Sequence, residues 1–222
     1  MIPFRKPLLK TLKASTACFM VLVPSRENVV LEGPGSIRKL PDLMKKQNIQ
    51  KPLVITDRVL MEKHLPVSLF EAFKAAGMPY MVYDGVQPNP SIENVEEAYG
   101  LYVKSNCDAV VGFGGGSSMD CAKVVAGRAV RPHLTAEQLG GYFKIMLPFP
   151  KKLPRIIAVP TTAGTGAETT SAAVITDNSR DTKYTVNDFL IHPHVIVLDP
   201  ELTCGLPPFF TAITAMDALS HA

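Results

Sequence analysis

The sequence predicts an α/β protein built on a parallel sheet, and three observations carry that expectation. Short continuous apolar runs such as "PLVI", "DAVVGF" and "RIIAVP" alternate with amphipathic segments of helical spacing, as expected of strands covered on both faces. Two of these runs pass directly into Gly- or Thr-rich turns, "GFGGGSS" and "PTTAGTG", at the strand edge where open α/β sheets bind ligands. The chain has 222 residues, 46% of them hydrophobic, enough for a sizeable core in one large domain or a domain and a half.

The elements follow in order. "CFMVLVPSRENVVLEG" reads as two strands joined by a polar turn. "GPGSIRKLPDLMKKQNI" is a Gly/Pro turn with Ser36 capping a helix, and "KPLVITD" is a strand ending on Asp57. "HLPVSLFEAFKAAG" has helical spacing and closes on Gly77, and "PYMVYDGV" is the next strand. After the turn "QPNPS", "SIENVEEAYGLYVKSN" is an amphipathic helix that Ser91 could cap. "CDAVVGFGGG" is a buried strand, "SSMDCAKVVAGRAV" a helix, and "PRIIAVPTTAGTG" a second buried strand running into its loop. "KYTVNDFLIHPHVIVLDPELTCGLPP" reads as a strand pair returning to the sheet. "PPFFTAITAMDALSHA" then begins a helix with Pro in its first turn, so the change of character at Leu206 to Pro208 is the expected domain boundary.

Charged residues are 19% of the chain and the net charge is +3, without a basic run, so the electrostatic footprint of a nucleic-acid binder is missing. No segment reaches the roughly 20 apolar residues of a membrane span. The N-terminal basic and apolar stretch lacks a convincing small-residue cleavage site. Cys18, Cys107, Cys121 and Cys204 are far apart and form no CxxC pair, which fits a reducing cytoplasm better than a disulfide framework. The expected partners are small molecules and like subunits.

The chemistry is expected in the loops. Gly114, Gly115 and Gly116 sit between a buried strand and a helix start, where glycine lets backbone approach a phosphate and the helix end offers free N–H groups. Ser117 and Ser118 add hydroxyls. The alternative is a tight turn without a ligand. The usual dinucleotide fingerprint, glycines after the first strand and an acidic residue at the end of the next, is not followed, because the best ribose candidate, Asp57, ends a strand well upstream of the glycines; no Walker lysine follows them either. Thr161, Thr162 and Thr165 form a second hydroxyl-bearing loop, which alone reads more readily as a plain loop; two such loops on one sheet edge favour a dinucleotide. His192 and His194 could pair on a metal or simply pack, and His64 and His133 fall in polar turns. Asp217 and His221 stand four residues apart, one helical turn, and by themselves read as a surface pair or as half of a metal site.

Taken together, "VITD", "QPNPS", "GFGGGSSMDCAK", "PTTAGTGAE", the second "VITD", the lysine of "DTKYTV", "LDPELT", "LPP" and "MDALSHA" resemble the iron-dependent (group III) alcohol dehydrogenases, whose fold is shared by glycerol dehydrogenase and dehydroquinate synthase. The resemblance implies a parallel-sheet NAD-binding domain over residues 1–206, and over 207–222 the first helix of an all-helical metal-binding domain. It implies that Asp57 bonds the adenosine ribose and disfavours a 2′-phosphate, and that Asn89 lines the cofactor. Gly115, Gly116 and Ser117 would hold the pyrophosphate, with Thr161, Thr162 and Thr165 continuing the grip. Lys183 and Leu202 would border the ribose and nicotinamide end, and Asp120 would brace the glycine loop. Ala172 departs from members with an asparagine there.

Asp217 and His221 match the first two of four metal ligands in the family, and the chain ends before the other two. The implied reaction is hydride transfer between a small alcohol or aldehyde and NAD, assisted by Fe2+ or Zn2+, in a cytoplasmic homodimer or larger homo-oligomer. No side chain stands out as a dedicated general base. The chain is expected to be C-terminally truncated and to turn over little substrate by itself. The alternatives are a nucleotide-binding or interaction module without catalysis and a same-fold relative with glycerol dehydrogenase or lyase chemistry.

Overall fold

The computed structural model describes residues 28–148 and 153–221. The first half runs β1 (Val29–Glu32), α1 (Leu40–Lys46), β2 (Pro52–Ile55), α2 (Arg58–Glu62), α3 (Val67–Ala75), β3 (Met81–Tyr83) and α4 (Ile92–Lys104). It continues with β4 (Ala109–Gly114), α5 (Gly116–Val130), β5 (Gly141–Tyr142), β6 (Arg155–Pro160), β7 (Ala172–Asp177), β8 (Thr182–Asn187), β9 (Val195–Leu198) and α6 (Pro208–His221).

Six strands form one sheet in the order β1-β9-β6-β4-β2-β3, every neighbouring pair parallel. The apolar runs belong here because both faces are covered. On one face Leu53, Ile55 and Val110 pack with Val95 of α4 and Val124 and Val125 of α5. On the other, Val54, Val111 and Phe113 pack with Leu40, Met44, Leu69 and Phe73.

Two expectations are corrected. The strand pair in residues 183–198 does not return together: β9 joins the main sheet, whereas β8 pairs antiparallel with β7 and parallel with β5 in a separate three-stranded sheet. β8 is mostly exposed, with Val186 its one buried residue, and its partner β7 buries every second side chain, which suits a sheet with one covered face, whereas β9 is buried over its first three residues. Asp188 secures the junction, its Oδ2 accepting the N–H groups of Ile145 and Met146 at 2.9 Å. Ser36 does not cap a helix through its side chain. Ser36–Lys39 is a 3-10 turn, and the Asp199 carboxylate, at the end of the neighbouring strand β9, accepts the N–H groups of Gly35 and Ile37 at 3.0 Å. Of the expected N-terminal strand pair, β1 pairs in parallel with β9, and the upstream strand lies outside the described residues.

Ser91 does cap α4: its Oγ accepts the Asn94 N–H while Asn94 Oδ1 accepts the Ser91 N–H, a reciprocal capping box. Among the described residues no helix is long and apolar enough to cross a membrane.

Candidate dinucleotide and metal site

The adjacency of β2, β4 and β6 arranges the candidate residues, because their carboxyl ends lie side by side. Asp57 follows β2, Gly115 and Gly116 follow β4, and Thr161 and Thr162 follow β6. Neighbouring strands are about 4.8 Å apart, so these groups form one continuous ledge.

The glycines divide into two roles. Gly112 and Gly114 point beneath α5: a Cβ on Gly112 would lie 2.8 Å from Met119 Cα, and one on Gly114 would lie 2.6 Å from Ser118 Oγ. They let the helix settle onto the strand. Gly114 also has φ +146°, a backbone that L side chains rarely adopt. Gly115 and Gly116 instead face the second loop, where added Cβ atoms would lie 3.5 Å from Thr162 Oγ1 and 3.2 Å from Thr165 Cγ2. The N-terminus of α5 has no side-chain cap, so its backbone donors open onto this space. A cradle that side chains would fill, uncapped helix N–H groups and flanking hydroxyls fit a pyrophosphate.

A groove of about 280 Å³ runs from here past Asn89, Gly116, Ser117, Asp120, Thr165 and Thr176. The turn before α4 forms one wall. Asn89 adopts φ +58°, its N–H donates to Ser117 Oγ at 3.3 Å, and its Oδ1 accepts from Lys183 Nζ at 3.3 Å. Thr176 N–H donates to Pro90 O at 2.9 Å, tying that turn to β7. Thr161 is buried, its N–H bonded to Gly114 O at 3.0 Å, which joins the two loops at their roots. A larger cleft of about 430 Å³ lies among Arg38, Asp42, Ser68 and Glu71, away from all these groups. Convergent donors rather than volume make the smaller groove the candidate site.

Asp57 performs a structural task as well: its Oδ1 accepts the Leu60 N–H at 2.9 Å and caps α2. Leu202 is buried in the apolar layer beside Ile37 and Val197, so its side chain belongs to the core. Asp120 braces β7, accepting the Val174 N–H at 2.9 Å, instead of the glycine loop itself. Burial raises its carboxyl above the usual range, and the Val174 N–H and the Lys123 ammonium oppose that shift.

Lys123 has a larger part than the sequence disclosed. It is fully buried, and its Nζ donates to Ala167 O at 2.6 Å and to Thr170 Oγ1 and Ala172 O at 2.9 Å. Burial pushes its pKa down to about 8, against the opposing pull of Asp120 and Glu168. The i,i+3 spacing of Asp120 and Lys123 was the available signal, but a helical lysine ordinarily faces water.

Asp217 and His221 occupy successive turns of α6. Thr214 and Asp217 are less exposed than their neighbours in the helix, and a Cβ on Gly164 would lie 2.7 Å from Thr214 O. The helix therefore rests on the Thr/Gly loop along the stripe that also carries Asp217. A carboxylate and an imidazole suit a borderline divalent cation. Among the described residues, no three His, Cys, Asp or Glu side chains group around a common metal position. His194 braces β6, its Nδ1 accepting the Ile156 N–H at 3.1 Å, whereas His192 Nε2 lies 2.7 Å from Asn28 Nδ2 just before β1.

The family model for iron-containing alcohol dehydrogenases matches residues 28–200. The chain is 36% identical over 194 residues to a choline dehydrogenase of Bacillus subtilis (strain 168), covering 87% of this chain and 48% of that protein. A crystal structure of a 1,3-propanediol oxidoreductase superposes with a TM-score of 0.80 at 33% identity, covering 87% of this chain and 50% of the other. Sulfoacetaldehyde reductase from Bifidobacterium kashiwanohense in complex with NAD+ superposes with a TM-score of 0.79 at 29% identity, covering 88% of this chain and 50% of the other. The 222 residues thus span about half the length of the relatives they match. The parallel sheet, the paired strand-end loops and these matches together establish that the chain belongs to the iron-containing alcohol dehydrogenase family.

Proposed function

We propose that residues 1–206 form the NAD-binding domain of an alcohol dehydrogenase and that residues 207–222 open a helical metal-binding domain. The observation that carries this reading is the facing of Gly115 and Gly116 by Thr162 and Thr165, with Asp57 on the adjoining strand end. The groove can seat a pyrophosphate between backbone N–H groups and hydroxyls, while the free oxygen of Asp57 addresses the ribose and repels a 2′-phosphate. Asn89 and Ser117 line the continuation of the groove, Lys183 joins it through its hydrogen bond to Asn89 Oδ1, and Leu202 closes the 3-10 turn that follows β9. Ala172 provides no side-chain hydrogen bond to the cofactor.

When bound, NAD supplies a hydride acceptor, and Fe2+, with Zn2+ as the alternative, supplies Lewis-acid polarisation of the alcohol oxygen. Asp217 and His221, one turn apart on α6, would be two of the metal ligands. The substrate is a small alcohol or aldehyde, and the protein works as a cytoplasmic homodimer or larger homo-oligomer. The choice of alcohol rests with residues beyond the cofactor ledge.

A polypeptide of residues 1–222 alone should bind NAD yet oxidise little or no alcohol, because two ligands hold a divalent ion weakly. The test is to incubate it with ferrous iron, NAD and 1,2-propanediol and follow NADH, with NADH binding measured in parallel. Binding without turnover is the expected result. Strong turnover would overturn the division of labour, and absence of binding would overturn the dinucleotide reading.

A further inference from the structure

We propose that Lys123 is a positioning residue for the dinucleotide site, a buried ammonium that holds the Thr162–Thr165 loop opposite Gly115 and Gly116. The inference rests on the reading of the groove as a pyrophosphate site. Residues 161–171 join β6 to β7 and contain only the short 3-10 turn Ala167–Thr169. The near end of this connection is fixed to the sheet by the Thr161 N–H bond to Gly114 O. Its far end is fixed by Lys123, which binds Ala167 O, Thr170 Oγ1 and Ala172 O together. The hydroxyls facing the glycines lie between these two anchors.

Lys123 is seven residues along α5 from Gly116, two turns and about 10 Å on the same rigid rod. One helix therefore presents the phosphate-facing backbone at its first turn and grips the opposing loop from its third. Moving the grip changes the width of the groove without touching the ligand. The cost of burying an ammonium is offset in part by three acceptors and by Asp120 Oδ1 at 3.9 Å. An apolar side chain there would leave two carbonyls and a hydroxyl without their shared donor.

The test compares wild type, Lys123→Met and Thr170→Val for NADH, ADP-ribose and AMP affinity, with melting temperature recorded alongside. AMP reaches Asp57 but spans only half of the pyrophosphate. Lys123→Met should lose tenfold or more in affinity for NADH and ADP-ribose and less than threefold for AMP. Thr170→Val, which removes one of the three acceptors, should show the same selectivity at about threefold and keeps the test decisive if Lys123→Met does not fold. Equal loss for all three ligands, or unchanged NADH affinity in Thr170→Val, would make Lys123 merely structural and overturn the proposal. Wild type that binds no NADH would instead remove the dinucleotide reading on which the proposal rests.

Discussion

Gly116 and Thr165 meet closely along the wall of the groove: a Cβ on Gly116 would lie 3.2 Å from Thr165 Cγ2 and 3.3 Å from its Oγ1, so the threonine would have to give way. Gly116→Ala should therefore push the Thr loop outward and weaken NADH binding by about 1 kcal/mol, the low end of overpacking costs. Thr165→Ser removes the nearer carbon and keeps the hydroxyl, so the double variant should recover most of the loss. NADH titration of both single variants and the double checks this. Strictly additive effects would show that the two residues do not meet.

Asp57 divides its carboxylate between α2 and the proposed ribose position. Asp57→Asn keeps an oxygen for the Leu60 N–H but loses the charge, whereas Asp57→Ala loses both. The alanine variant should cost about 1 kcal/mol in stability through the lost cap. Both should weaken NADH binding by about 1 to 3 kcal/mol, and the asparagine variant should discriminate less against NADPH. Denaturant unfolding and nucleotide titration separate the two roles. Unchanged NADH affinity in both variants would take Asp57 out of the site.

Lys123 predicts a pH effect with a definite sign. Its pKa is held down to about 8 in the folded protein, against an ordinary value of 10.5, so between these values the unfolded chain binds the extra proton. Its contribution to stability is present in full above pH 10.5 and is lost as pH falls through about 8. Relative to Lys123→Met, wild type should gain up to about 3 kcal/mol in unfolding free energy across that window. Asp120, whose carboxyl is raised, acts in the acid range with the opposite sense. Parallel curves for the two proteins across the alkaline window would contradict the burial of a titrating ammonium.

Gly164 is the point where α6 meets the Thr/Gly loop. Gly164→Ala would drive a carbon to 2.7 Å from the Thr214 carbonyl oxygen, and backbone rather than a pliable side chain must yield. The expected cost is about 1 to 3 kcal/mol, expressed as loosening of the helix. Amide hydrogen exchange should accelerate over residues 208–221 while β4 and β6 stay protected. Unchanged exchange over those residues would show that the contact does not seat α6.

The sheet was legible because its strands are continuous apolar runs and its helices carry end signals, Ser91 before α4 and Gly77 after α3 among them. The Gly and Thr loops were legible as a pair because each directly follows such a run. Strand partnership was not. β8 and β9 both read as strands, and only tertiary packing sends one to a separate sheet. Nor could the sequence divide the glycines into Gly112 and Gly114, which admit α5, and Gly115 and Gly116, which face the groove. The least visible residues were the long-range anchors Lys123, Asp188 and Asp199. Each is a charged group with partners between 42 and 164 residues away, while its own neighbourhood looks like an ordinary helix or turn.

Titration of the protein with NADH, followed by the fluorescence of the nicotinamide, separates a dinucleotide groove from a plain pair of turns. Saturable binding that NAD and ADP-ribose displace, weaker for NADPH and weakened by Gly116→Ala, is the result predicted by a groove between the α5 N-terminus and the Thr loop. Absence of saturable NADH binding, or binding indifferent to Asp57 and Gly116 substitutions alike, would contradict it.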